Sequence, residues 1–115
     1  MRDHQIFDKE VETRPVAAQQ QLDKRSYQEQ IACLMKHSVF YQEKLLAAGF
    51  STPEQVGGLE DIAQLPFTEK DELRASQADF PPFGKHIATD DSKLRRVFST
   101  SGTTGVPCYL GLTQN

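Results

Sequence analysis

The chain is poor in the features that usually settle a class at first sight. It has two cysteines in 115 residues. Cys33 and Cys108 form neither a CxxC pair nor a metal-ligand spacing, so reduced thiols are the default. No apolar run approaches the ~18 residues of a membrane span. Met1-Arg2-Asp3-His4-Gln5 lacks the apolar stretch of a signal peptide. A cytoplasmic location without a membrane partner is therefore expected. Hydrophobic residues are scarce as well, at 37% with a mean hydropathy of -0.55. Even with the 7 glycines added, the chain falls below the roughly 45–50% of a typical soluble domain. Part of the core is thus expected to lie in chain outside these residues. A basic excess is lacking too: 13 Lys and Arg stand against 16 Asp and Glu, a net charge of -3. That excludes the dense basic face needed for non-specific nucleic-acid binding. His4, His37 and His86 are scattered, without the spacing of a metal site or a triad, and surface or capping roles are expected of them.

The charge is nevertheless uneven. Acids dominate from Glu54 to Asp79, whereas Lys85, His86, Lys93, Arg95 and Arg96 outnumber Asp90 and Asp91. Such a basic stretch is ordinary solvated surface unless it adjoins an anion site, whose potential it would bias.

The periodicity predicts helices first and strands last. Residues 1–15 are expected to be extended, with Pro15 opening a helix over Val16–His37. Tyr27, Ile31, Leu34 and Met35 recur there at helical spacing, with Leu22 a turn earlier. Cys33 is expected in its core. Ser38 suits the N-cap of a second helix, Val39 to Ala48, with Phe40, Tyr41, Leu45 and Leu46 inward and Gly49 beyond its end. Thr52-Pro53 opens a short helix that Gly57-Gly58 ends, and Leu59–Gln64 forms a further turn or two. Thr68-Glu69-Lys70-Asp71 suits a capping box for a helix that packs through Leu73. Pro81-Pro82-Phe83-Gly84 marks a turn. Leu94–Thr100 and Cys108–Thr113 then read as strands, with Val97 and Phe98 as core contacts. The fold class is α/β, of α+β character within these residues: helices, then a strand–loop–strand unit. Two strands alone are marginal, so the sheet is expected to continue outside this chain.

The loop is the most specific feature. It reads Ser99-Thr100-Ser101-Gly102-Thr103-Thr104-Gly105-Val106-Pro107. Gly102 and Gly105 allow a close backbone approach. Successive N–H groups and the hydroxyls of Thr100, Ser101, Thr103 and Thr104 can converge on phosphate oxygens. Pro107 stiffens the exit. The spacing is neither a Walker A loop nor a dinucleotide-binding G-x-G-x-x-G.

Ser101-Gly102-Thr103-Thr104-Gly105-x-Pro107 resembles the phosphate loop of adenylate-forming enzymes. The chain as a whole, from about Phe7, resembles the phenylacetate–CoA ligase family. Three further segments carry the likeness: Phe7-Asp8-Lys9-Glu10-Val11-Glu12-Thr13; His37-Ser38-Val39-Phe40-Tyr41 with Leu45 and Ala48-Gly49; and Leu59 to Arg74, through Leu65-Pro66-Phe67-Thr68, Lys70, Leu73 and Arg74. Cys108 stands where many adenylate-forming enzymes carry Lys, as is common in this branch. Val106 replaces a frequent Lys, which implies a weaker hold on ATP.

The resemblance implies that a full-length relative activates phenylacetate or a related carboxylic acid with ATP as an acyl-adenylate. It then passes the acyl group to CoA, releasing AMP and pyrophosphate. Thr100, Ser101, Gly102, Thr103, Thr104 and Gly105 would hold ATP phosphates neutralised in part by Mg²⁺. Residues 16–115 would be the incomplete N-terminal part of the AMP-binding domain, preceded by segment 1–15. The groups that do the chemistry would lie further along, so residues 1–115 alone are expected to be inactive. Full-length relatives would form homodimers. Two other roles fit the same residues: a non-catalytic interaction module, and one part of a ligase completed by a second polypeptide.

Overall fold

A computed structural model describes residues 6–101 and 105–114. The elements run α1 (Lys9–Glu12), α2 (Val16–His37), α3 (Val39–Ala47), the 3₁₀ turns Pro53–Val56 and Leu59–Gln64, α4 (Lys70–Asp79), a 3₁₀ turn Asp91–Lys93, β1 (Arg96–Ser99) and β2 (Tyr109–Leu112). No helix among the described residues is long and apolar enough to cross a membrane.

The N-terminal segment is not wholly extended. Asp8 Oδ1 accepts from the Val11 N–H at 3.1 Å, and Glu12 Oε1 accepts from the Asp8 N–H at 2.7 Å. This reciprocal capping makes α1 a single closed turn. Pro15 follows at φ -56 and opens α2 as its composition predicts.

The small core sits where α2 crosses α3 and the first two 3₁₀ turns. Ile31, Leu45 and Val56 are buried there. Cys33 is exposed, contrary to expectation. It follows Ile31 by two positions, about 200° around the helix, and so faces away from that core. Leu46 is exposed for the same reason, one position past the buried Leu45.

Ser38 joins the helices to the rest. Its hydroxyl accepts from the Tyr41 N–H at 3.4 Å, the N-cap bond of α3. The same oxygen lies 3.2 Å from the Lys85 carbonyl and 3.1 Å from the His86 carbonyl. The Phe40 N–H also donates to the Lys85 carbonyl, at 3.1 Å.

α4 starts one residue later than the sequence suggests. Its N-cap is Glu69, and Glu72 Oε2 accepts the Glu69 N–H at 2.7 Å. Glu72 has the longer reach than Asp71, which explains the shift. Lys44 and Glu72 pair and tie α3 to α4. That bond and the Glu69 N–H, the larger influence, hold the Glu72 carboxyl below its usual range.

β1 and β2 are antiparallel, pairing Arg96 with Leu112, Val97 with Gly111, Phe98 with Leu110 and Ser99 with Tyr109. Both strands fall inside the expected ranges, but their apolar residues are not core. Val97 and Phe98 are 51% and 50% exposed, and Leu110 and Leu112 are 46% and 50% exposed. By register, Phe98, Leu110 and Leu112 share one uncovered face. The radius of gyration, 17.5 Å, exceeds the about 13 Å of a compact chain of this length. Helix and sheet therefore bury less than the apolar residues offer.

Candidate functional site

Residues 100–108 connect β1 to β2. The base of the loop is closed twice. The Thr100 N–H donates to the Cys108 carbonyl at 2.9 Å, and Thr100 Oγ1 accepts the Cys108 N–H at 3.0 Å. Thr100 thus uses its oxygen to close the loop and keeps its hydroxyl proton for a further acceptor. Ser101 and Gly105 are exposed. Gly105 has φ +78, and a Cβ built on it would meet nothing within 4 Å. The backbone there takes a turn that L side chains resist, beside open space. The remaining expected ligands, Gly102, Thr103 and Thr104, lie outside the described residues.

The exit limb is held by α4, a link that no pattern in the sequence signals. Arg74 Nε donates to the Val106 carbonyl at 3.3 Å while its Nη1 bonds Asp71 Oδ1 at 2.8 Å. Gln77 Nε2 donates to the Pro107 carbonyl at 3.0 Å, and Gln77 Oε1 accepts the Tyr109 N–H at 2.9 Å. Cys108 is buried, its Sγ 4.0 Å from the Lys70 carbonyl. Position on an amphipathic face could not reveal Arg74 and Gln77, because their partners are backbone groups some thirty residues downstream. The Leu59–Arg74 segment and the loop, read as separate motifs in the sequence, meet here through Lys70 and Arg74.

Beyond the strand edge lies an open cavity of about 1120 Å³, lined among others by Tyr41, Leu73, Phe83, His86, Tyr109 and Arg95. The His86 ring stands edge-on to Phe40 at 6.3 Å between centroids. Burial pushes its pKa down, and a hydrogen bond with the Tyr109 backbone opposes this only in part. Its Nδ1 is buried without a partner among the described residues. Gly84 makes this packing possible: at φ +74, a Cβ there would lie 2.7 Å from His86 Nδ1 and 2.8 Å from Ser76 Oγ. Among the described residues no cluster of three His, Cys, Asp or Glu side chains could hold a metal ion.

No family model matches the chain. It is 34% identical over 110 residues to a phenylacetate–coenzyme A ligase of Thermus thermophilus, covering 96% of this chain and 23% of that protein. It is also 34% identical to a phenylacetate–coenzyme A ligase of Pseudomonas putida, over 76% of this chain and 19% of that one. Among solved structures it resembles a 2-hydroxyisobutyryl-CoA ligase in complex with 2-HIB-AMP and CoA, with a TM-score of 0.77 and 37% identity. That match covers 89% of this chain and 21% of the other. The helices and small sheet are therefore part of an adenylate-forming CoA ligase fold. Within that class, the chain belongs to the phenylacetate–CoA ligase family. It spans about a fifth of the length of the relatives it matches.

Proposed function

We propose that this chain is the phosphate-holding part of an aryl-CoA ligase. In the complete enzyme the carboxylate of phenylacetate or a related acid attacks the α-phosphorus of ATP. The bond to the bridging oxygen breaks, and pyrophosphate leaves. The CoA thiol then displaces AMP from the acyl-adenylate and gives up its proton. Thr100, Ser101, Gly102, Thr103, Thr104 and Gly105 grip the β- and γ-phosphates. This is positioning and charge stabilisation rather than covalent chemistry. Mg²⁺ bound with the nucleotide would offset part of the phosphate charge that this loop holds. The acid, CoA and a second copy of the full-length chain are the partners of this reading.

One observation carries the proposal: a hydroxyl- and glycine-rich loop, closed at its base by Thr100 and open at Gly105, in a chain alike over nearly its whole length to phenylacetate–CoA ligases. The named 2-hydroxyisobutyryl relative, bound to an acyl-AMP and CoA, supports the adenylate and thioester steps. Titration with ATP·Mg²⁺ while following backbone amide exchange tests the reading. Protection is expected at Ser101 to Gly105 and not in α2. Exchange at the loop that is indifferent to millimolar ATP·Mg²⁺ overturns it. Thioester formation is assayed as acid- and CoA-dependent AMP release, and residues 1–115 alone are expected to show none.

A further inference from the structure

We infer that Gln77 is the residue that positions the loop, standing in for a missing strand at the β2 edge. In the β1–β2 register Cys108 faces Thr100, and the two bond each other. The alternate residues Pro107 and Tyr109 therefore turn their polar groups to the opposite edge. No strand lies there among the described residues. Gln77 fills the vacancy: it gives an N–H to the Pro107 carbonyl and takes the Tyr109 N–H, the two bonds an adjoining backbone would make. A primary amide offers donor and acceptor side by side and stays neutral at every physiological pH. Only one orientation of the amide satisfies both partners, which fixes the ring of bonds. Arg74, one turn earlier on α4, takes the next carbonyl, Val106. The exit limb is thereby a rigid rail from α4, while Gly105 next to it remains open. Such preorganisation lowers the ordering cost of gripping an anion.

The role in nucleotide binding rests on the phosphate-loop reading, whereas the anchoring does not, so the two fail separately. The test compares Gln77→Leu and Gln77→Glu with the parent 115-residue chain by amide exchange, at about pH 3.5 and about pH 7.5, on either side of the ordinary glutamate pKa. Gln77→Leu is expected to speed exchange at Cys108 and Tyr109, whose N–H groups are bonded, by about tenfold, with α2 and α3 unchanged. Gln77→Glu separates positioning from packing. Its carboxyl matches the amide in shape and, when protonated, also has a donor and an acceptor. When ionised it can only accept, and it faces the Pro107 carbonyl. Its limb should be close to the parent at about pH 3.5, below the ordinary glutamate pKa of about 4.3, and loosened relative to the parent at about pH 7.5, a dependence that side-chain packing would not produce. Exchange at Cys108 and Tyr109 within twofold of the parent in Gln77→Leu, or a Gln77→Glu limb indifferent to pH, overturns the inference. A parallel titration with ATP·Mg²⁺ should show about fivefold weaker binding in Gln77→Leu. If the parent binds no ATP while the exchange pattern holds, the phosphate reading fails and the positioning role stands.

Discussion

The Ser38 hydroxyl lies 3.1 Å from the carbonyl oxygen of His86, 48 residues along the chain. A local capping residue thus also holds a distant segment. Ser38 is 1% exposed, so its hydroxyl is shielded from bulk water and spends its bonds within the protein. Behind it runs a chain of contacts: Ser38 to Lys85 and His86, Lys85 N–H to Ser76 Oγ at 2.8 Å, and Gln77 beside Ser76 to the loop exit. The helical half and the loop half are joined through polar groups rather than through a shared apolar core.

Ser38→Ala therefore removes two things at once, the α3 cap and the donor to the His86 carbonyl. The Lys85 carbonyl keeps the Phe40 N–H. The expected loss is about 1.5–5 kcal/mol, the sum of a cap at about 0.5–2 and one part-buried carbonyl left unsatisfied at about 1–3. Urea unfolding measures it, and a change below about 0.5 kcal/mol would show that the buried hydroxyl bridges nothing of consequence.

His86 predicts a pH dependence whose sign follows from its burial. Its folded pKa lies below the ordinary 6.5, so the unfolded chain binds the proton more readily. Its contribution is intact above about pH 6.5 and declines as the pH falls through the folded value. The slope is at most about 1.4 kcal/mol per pH unit. Glu54, Glu72 and Asp90 are held below the usual carboxylate range and act in the same direction, but in a lower pH window. The parent should lose stability between pH 7 and pH 5, and His86→Gln should flatten that loss. Parallel curves for the two proteins would refute the assignment.

The sequence showed most plainly what local physics decides. The α2 range Val16–His37 and the Ser38 cap were readable because helical spacing and a capping hydroxyl are properties of neighbouring residues. The strands were readable from Val97-Phe98 and Tyr109-Leu110, but not their exposure, which depends on what covers the sheet. The loop announced itself by composition. Gln77 and Arg74 did not, since a polar residue on a polar helix carries no mark of the backbone it will meet. Gly84 hid within a Pro-Pro-Phe-Gly turn, although its role is to admit the His86 ring. Cys33 could have been placed correctly from its angle to Ile31 alone.

The two thiols should report their surroundings. Cys33 is exposed on α2, while Cys108 is 2% exposed beneath the loop exit. A disulfide-exchange reagent should titrate one thiol rapidly in the native chain and the second only with denaturant. Cys33→Ser should abolish the fast phase, and Cys108→Ser the slow one. Two equally fast thiols would mean that the limb between Pro107 and Tyr109 opens readily, against the anchoring by Lys70, Arg74 and Gln77.

Gly105 links loop geometry to binding most directly. At φ +78 an alanine is strained by about 1–2 kcal/mol, yet its methyl would touch nothing. In the free chain this exposed loop can relax at little cost, so Gly105→Ala should leave the unfolding midpoint nearly unchanged. Gripping a phosphate would require the strained turn again, and the strain would then appear as weaker binding. The expected outcome is an ATP·Mg²⁺ dissociation constant raised about five- to thirtyfold by calorimetry. Equal affinity in the variant and the parent would show that the turn at Gly105 is not the conformation that holds the nucleotide.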